Sequence, residues 1–170
     1  MARTTFSGPV RSLAGFYSQG SGTVIDIANG TNTITLDVAT YAGRIIRTND
    51  ATLIITLPTI DATGETNPDT TNNLGTVYTF FIETAATAVA IQTDGTDKFV
   101  GSILMVDTDS SGATYGYAPA AANDVINLNG TTTGGIAGSI IQVTALAALK
   151  YMVSGVLLGS GVVATPFANS

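Results

Sequence analysis

The chain has 170 residues and contains neither cysteine nor histidine, which excludes disulfides, thiolate chemistry, Ser-His-Asp triads and most transition-metal sites. Only 11% of its residues are charged, against about 25% in an average domain. The formal net charge of −6 argues against a surface that neutralises nucleic-acid phosphates.

The charge is unevenly laid out. Residues 1–20 hold Arg3 and Arg11 and no acid, leaving four basic against twelve acidic residues in the remainder. A basic segment on an acidic body can dock on an acidic surface. The opening MARTTFSGPVRS lacks the apolar run of a signal peptide. The most apolar window, 144–163, is broken by Lys150, Ser154, Gly155 and Gly159, and falls short of the about 20 apolar residues of a membrane span. These features lead to the expectation of a protein made in the cytoplasm of its producing cell, with no membrane and no nucleic-acid partner.

Taken in chain order, residues 1–22 read as an extended N-terminal arm, punctuated by Ser7-Gly8-Pro9 and ending in the flexible Ser18-Gln19-Gly20-Ser21-Gly22. Residues 23–38 alternate apolar and polar residues around Asn29-Gly30 and predict a hairpin with a type I′ turn. Residues 41–48 and 51–57 predict a second pair around Asn49-Asp50, ended by Pro58, which cannot donate to a ladder. Arg44 and Arg47 on the first of these suit an inter-subunit contact or an exposed edge. Residues 58–75 form a long polar, acidic loop. Residues 77–82, VYTFFI, are apolar on both faces and predict a central strand.

Further strands follow at 88–93, 98–107 and 123–128, with an irregular loop at 108–122. The segment 139–157 predicts two core strands joined through Leu146–Leu149, with Gly155 as a bulge or a point of close approach. The competing reading is a helix over 145–153 capped by Thr144. Residues 159–170 read as a C-terminal arm. No internal repeat of solenoid or propeller period is evident. The expected fold is all-β: a single-domain antiparallel β-sandwich or barrel, jelly-roll-like, over residues 23–158, with extended arms at both ends.

Candidate chemistry is sparse. Asp107-Thr-Asp109-Ser-Ser111-Gly112 has oxygen ligands at positions one, three and five of a calcium loop, but Ala118 stands where a bidentate Glu belongs. An ordinary acidic turn is the better reading, and no metal is expected. The glutamates Glu65 and Glu83 have no aspartate that the sequence brings near them, as a glycosidase would need. Gly130, Gly134, Gly135 and Gly138 lack the following helix of a phosphate loop and read as turn residues. Tyr115 and Tyr117 could stack on a sugar or a partner side chain, with Asp109 nearby in sequence. No catalytic residue and no cofactor are expected.

Five stretches together carry a family likeness: TTFSGPVRSLAGF (4–16), ATLIITLP (51–58), NLGTVYTFFI (73–82), INLNGTTTGGIAGSIIQV (126–143) and KYMVSGVLLGSG (150–161). In these the chain resembles the head decoration, or cement, proteins of tailed bacteriophages. The resemblance implies a structural protein on the outer surface of the virion shell, bound to the major capsid protein and to copies of itself, a trimer being expected. The matching arm implies capsid contact through Thr5, Phe6, Pro9, Val10 and Phe16, with Arg3 and Arg11 supplying complementary charge. The alternative is a receptor- or glycan-binding β module of a phage tail or fibre.

Overall fold

The structure, a computed structural model, describes residues 22–27, 30, 32–63, 72–109 and 112–170. Thirteen short strands and one helical turn run in the order β1 (Val24–Ile27), β2 (Thr33–Thr35), α1 (Val38–Tyr41), β3 (Ile45–Thr48), β4 (Thr52–Thr56), β5 (Val77–Ile82), β6 (Ala88–Gln92), β7 (Lys98–Gly101), β8 (Ile103–Asp107), β9 (Thr114–Tyr117), β10 (Val125–Leu128), β11 (Ile140–Ala147), β12 (Lys150–Gly159) and β13 (Phe167–Ala168). Among the described residues they form a larger sheet, β1-β3-β5-β11-β12-β8-β9 with β7 also on β12, and a smaller one, β13-β10-β6-β4-β2. The all-β, single-domain sandwich class is as the patterning predicts, but both sheets mix parallel and antiparallel pairs.

The first half departs from the two predicted hairpins. β1, β3 and β5 lie side by side and parallel in the larger sheet, and β2, β4 and β6 do the same in the smaller. Each predicted hairpin partner therefore sits in the opposite sheet, and the chain winds as a coil of three stacked turns. Val24 lies beside Ile45 and Ile34 beside Ile55, an offset of 21 residues in both sheets. Ile34-Thr35-Leu36 accordingly recurs as Ile55-Thr56-Leu57, so a short internal repeat exists where none was expected.

The connections explain why the strands switch sheets. Asp50 is buried at the second crossing and accepts the Gly30 N–H (2.7 Å) and the Thr52 N–H (3.0 Å), which pins one crossing onto the previous one. The third stacks on the second through N–H groups of Glu83 and Thr84 to the Thr48 carbonyl, and of Thr87 and Ala88 to that of Ala51. Val38, expected to end a strand, instead opens α1, because the Asp37 side chain accepts the Thr40 N–H as an N-cap.

The second half is built differently. β11 and β12 are adjacent antiparallel strands, as the β-branched composition predicts, and the helical alternative is not formed. Their turn places Leu149 at φ 62, the one non-glycine residue with positive φ among the described residues. A Cβ on Gly155 would lie 2.3 Å from the Ile140 carbonyl oxygen, so this is the expected point of close approach, while the ladder's irregularity falls at Ala145/Ala147.

The single strand expected over 98–107 is broken at Gly101, where a Cβ would meet the Val153 carbonyl oxygen at 2.3 Å. Both pieces, β7 and β8, run parallel to β12. Residues 108–122 are not wholly irregular, since they include β9.

The C-terminal segment does not extend away as an arm. The Gly161 N–H donates to Asp109, the Ala164 N–H to the Thr132 carbonyl and the Ser170 N–H to Asp124, while β13 extends the smaller sheet with Phe167 buried.

Between the sheets lies one core. The larger sheet contributes Ile46, Phe80, Ile141, Tyr151, Val153 and Leu157, and the smaller one Leu53, Ile55, Val89, Ile91, Ile126 and Leu128. Each such side chain contributes about 1.5–3 kcal/mol on burial.

Candidate functional site

The residues singled out for capsid contact, Arg3, Thr5, Phe6, Pro9, Val10, Arg11 and Phe16, lie outside the described residues. The described chain begins at Gly22, two residues before β1, the terminal strand of the larger sheet.

The other expected cluster sits at the far edge of that sheet. Tyr115 and Tyr117 lie on β9 opposite Met105 and Ile103, whose side chains are buried, so both rings lie toward the core side of the edge. Tyr117 packs against the core, and burial followed by its neighbour Tyr115 pushes its phenol up. Tyr115 remains 43% exposed. Asp109 is already engaged: the Gly161 N–H (2.6 Å), then Asp107, hold its carboxyl below the usual range. It fastens the C-terminal segment rather than presenting a free carboxylate beside the tyrosines.

That use of acid is general in this molecule. Asp37, Asp50, Asp61, Asp94, Asp97, Asp107, Asp109 and Asp124 each accept a backbone N–H. A carboxylate can satisfy several such donors at once, and these bonds are stronger than neutral ones. Asp124 and Asp94 each accept three: Asp124 from Lys98 at 2.6 Å and from both the backbone and the hydroxyl of Ser170, and Asp94 from the Thr96 and Asp97 N–H groups and the Thr59 hydroxyl. Burial pushes the Asp124 carboxyl up, but Lys98 and Ser170 outweigh that and hold it below the usual range. Asp97 is the opposite case. It is fully buried, it accepts the Ile60 N–H at 2.8 Å, and burial pushes its carboxyl up. Close by in the same core region, Tyr151 donates to the Pro58 carbonyl at 2.6 Å, and burial raises its phenol too. Asp94, Asp97, Tyr151 and the segment 58–60 thus close one end of the sandwich.

The described surface carries grooves on both sheets. One, of about 590 Å³, crosses the outside of the smaller sheet between Asn32, Thr33, Ile54, Ala88, Ala90, Asn127 and Asn129, and its lining is uncharged. Another, of about 370 Å³, lies beside β7 and the start of β12 and includes Lys98, Phe99, Leu149 and Lys150. Neither gathers a nucleophile with a base, and no group of three or more metal-ligating side chains occurs among the described residues.

One surface feature was missed by the sequence reading: the outer face of the larger sheet. The pairing register aligns Phe81, Ile140, Val156 and Leu104 in one row across four strands. Ile140, Val156 and Leu104 are 45%, 43% and 48% exposed. The alternation within each strand was legible in sequence, but the row exists only once the strand order is known. No protein-family model, curated protein or solved structure matches this chain.

Proposed function

We propose that this chain is a virion structural protein that binds the outside of a tailed-phage capsid and stabilises it. On this reading it contacts the major capsid protein through Arg3, Thr5, Phe6, Pro9, Val10, Arg11 and Phe16, and it associates with copies of itself, as a trimer. The observation that carries the reading is the division of charge. The acid-free residues 1–20 bear Arg3 and Arg11 and are joined to a domain whose aspartates are taken up in holding turns.

The decoration-protein resemblance supports it. Its quoted stretches in the domain span β4, β5 and β12, most of β10 and the first half of β11, which lie in both sheets. A rigid, chemically quiet β body with an attached basic segment suits a shell protein, because weak contacts repeated over a symmetric surface add through avidity.

The test is co-sedimentation with phage heads stripped of this protein, comparing the full chain with one lacking residues 2–18. Saturable pelleting of the full chain alone supports the proposal. Pelleting of both moves the capsid contact onto the folded domain. If neither pellets, the decoration reading fails. The second reading, a receptor- or glycan-binding module, rests on the exposed ring of Tyr115. A glycan array with the wild type and Tyr115→Ala decides it.

A further inference from the structure

We propose that the outer face of the larger sheet is the surface on which copies of this chain associate. The inference deepens the self-association within the functional reading and is independent of capsid binding.

The argument starts from the register. Phe81, Ile140, Val156 and Leu104 stand side by side on β5, β11, β12 and β8. In the adjacent rows of the same face lie Thr79, Gln142 and Ser154, then Val77, Thr144 and Met152. Hence a band of large apolar side chains about four strands wide crosses this face, with small hydroxyls and an amide in the next row, Val77 and Met152 in the row beyond, and the Arg47–Asp26 pair continuing the band's own row on β3 and β1. Scattered exposed apolar residues are ordinary, but an aligned band on a sheet is what association surfaces are made of.

Charge selects the occupant. The chain is acidic, and its carboxylates cluster at turns and strand ends. Asp26 is the acidic residue within the strands of this face, and Arg47 neutralises it at 2.6 Å. Lys150, at the start of β12, is exposed. Two copies of an acidic molecule repel over most of their surface, and here they meet without setting carboxylate against carboxylate. Within the strands of this face a basic partner would find one carboxylate, already paired with Arg47, and a nucleic acid would find one exposed lysine, Lys150.

The experiment measures the mass of the full-length protein in solution by light scattering and sedimentation velocity, over micromolar concentrations. It compares wild type, Ile140→Glu, Val156→Glu and, as a control on the other sheet, Ile54→Lys. Ile54 is 40% exposed, comparable with the 45% and 43% of Ile140 and Val156. The expected result is an oligomeric wild type and control, and at least tenfold weaker association for the two glutamate variants, with unchanged circular dichroism. If a glutamate variant fails to fold, Ser154→Arg replaces it; this exposed hydroxyl makes no core contact, and the same loss of association is expected. A monomeric wild type overturns the proposal, as does an oligomer that survives these substitutions or dissociates in Ile54→Lys. Because no phage head enters the measurement, failure here leaves the co-sedimentation result untouched, and failure there leaves this one untouched.

Discussion

The two halves of the domain use the same alternating strands to opposite ends. In the coil, β1 to β6, consecutive strands never pair with each other: each crosses to the other sheet and pairs in parallel with the strand one turn away. In the later half, β11 and β12 pair directly through a tight turn and form the longest ladder among the described residues. The difference lies in the connections. Strands of three to five residues in β1 to β4 leave little ladder for a hairpin to gain, whereas crossing puts one apolar face of each strand into the shared core. The crossings then hold each other, through Asp50 and the stacked carbonyls of Thr48 and Ala51. β11 and β12, with eight and ten residues, make enough cross-strand contacts to stand as neighbours.

The strongest way to break this comparison is Phe80→Ala. Phe80 is fully buried on β5, the strand where the coil meets the hairpin, between Ile46 and Ile141. A cost of about 3–5 kcal/mol is expected, read by urea denaturation, with both halves lost in a single transition. Separate transitions would mean that the halves are independent cooperative units.

Gly155→Val strikes the hairpin alone, by driving a side chain against the Ile140 carbonyl. It should cost about 1–3 kcal/mol or more. Amide exchange should accelerate most in β11 and β12.

The acid response sharpens the contrast further. The carboxyl of Asp124 is held below its ordinary value of 3.8 in the fold. Its stabilisation is therefore complete above that value and lost as pH falls through the depressed one. Below pH 3.8 the amides of β13 and Ser170 should lose protection before those of β11. Asp124→Ala should reproduce this at neutral pH at a cost of about 1–3 kcal/mol. Simultaneous loss of β11 protection would show that β13 is part of the cooperative core.

The smallest effect is expected for Asp50→Ala. The Gly30 and Thr52 amides lose their acceptor and should exchange several-fold faster, with β12 unaffected. An equal change in β12 would count against the crossings acting as a local clamp.

Much of this fold was legible in the residues. The faces of β1 and β4 follow from period-two patterning, the central place of β5 from its two apolar faces, and the hairpin of β11 with β12 from β-branched composition. Gly155 was legible as a close approach because a glycine inside an apolar strand has few other reasons to be there. The coil was not legible, because Asn29-Gly30 and Asn49-Asp50 carry hairpin turn chemistry, whereas Gly30, Asn49 and Asp50 lie between strands of opposite sheets. The 21-residue echo of Ile-Thr-Leu at 34–36 and 55–57 was the available signal. Of the candidate sites, Asp109 could be picked out as a chemically suggestive residue, but its role as the acceptor for Gly161 depends on a partner 52 positions away.

Sequence alone therefore determined the class of fold, the buried face of most strands, the absence of thiol and imidazole chemistry and the separation of basic from acidic segments. Those properties reside in residue type and local period. Tertiary structure decided which strands pair, that residues 159–170 belong to the domain, and that Phe81, Ile140, Val156 and Leu104 form one surface. Pairing between distant segments is set by the total burial and hydrogen bonding of the whole chain, and a local pattern compatible with several partners cannot choose among them.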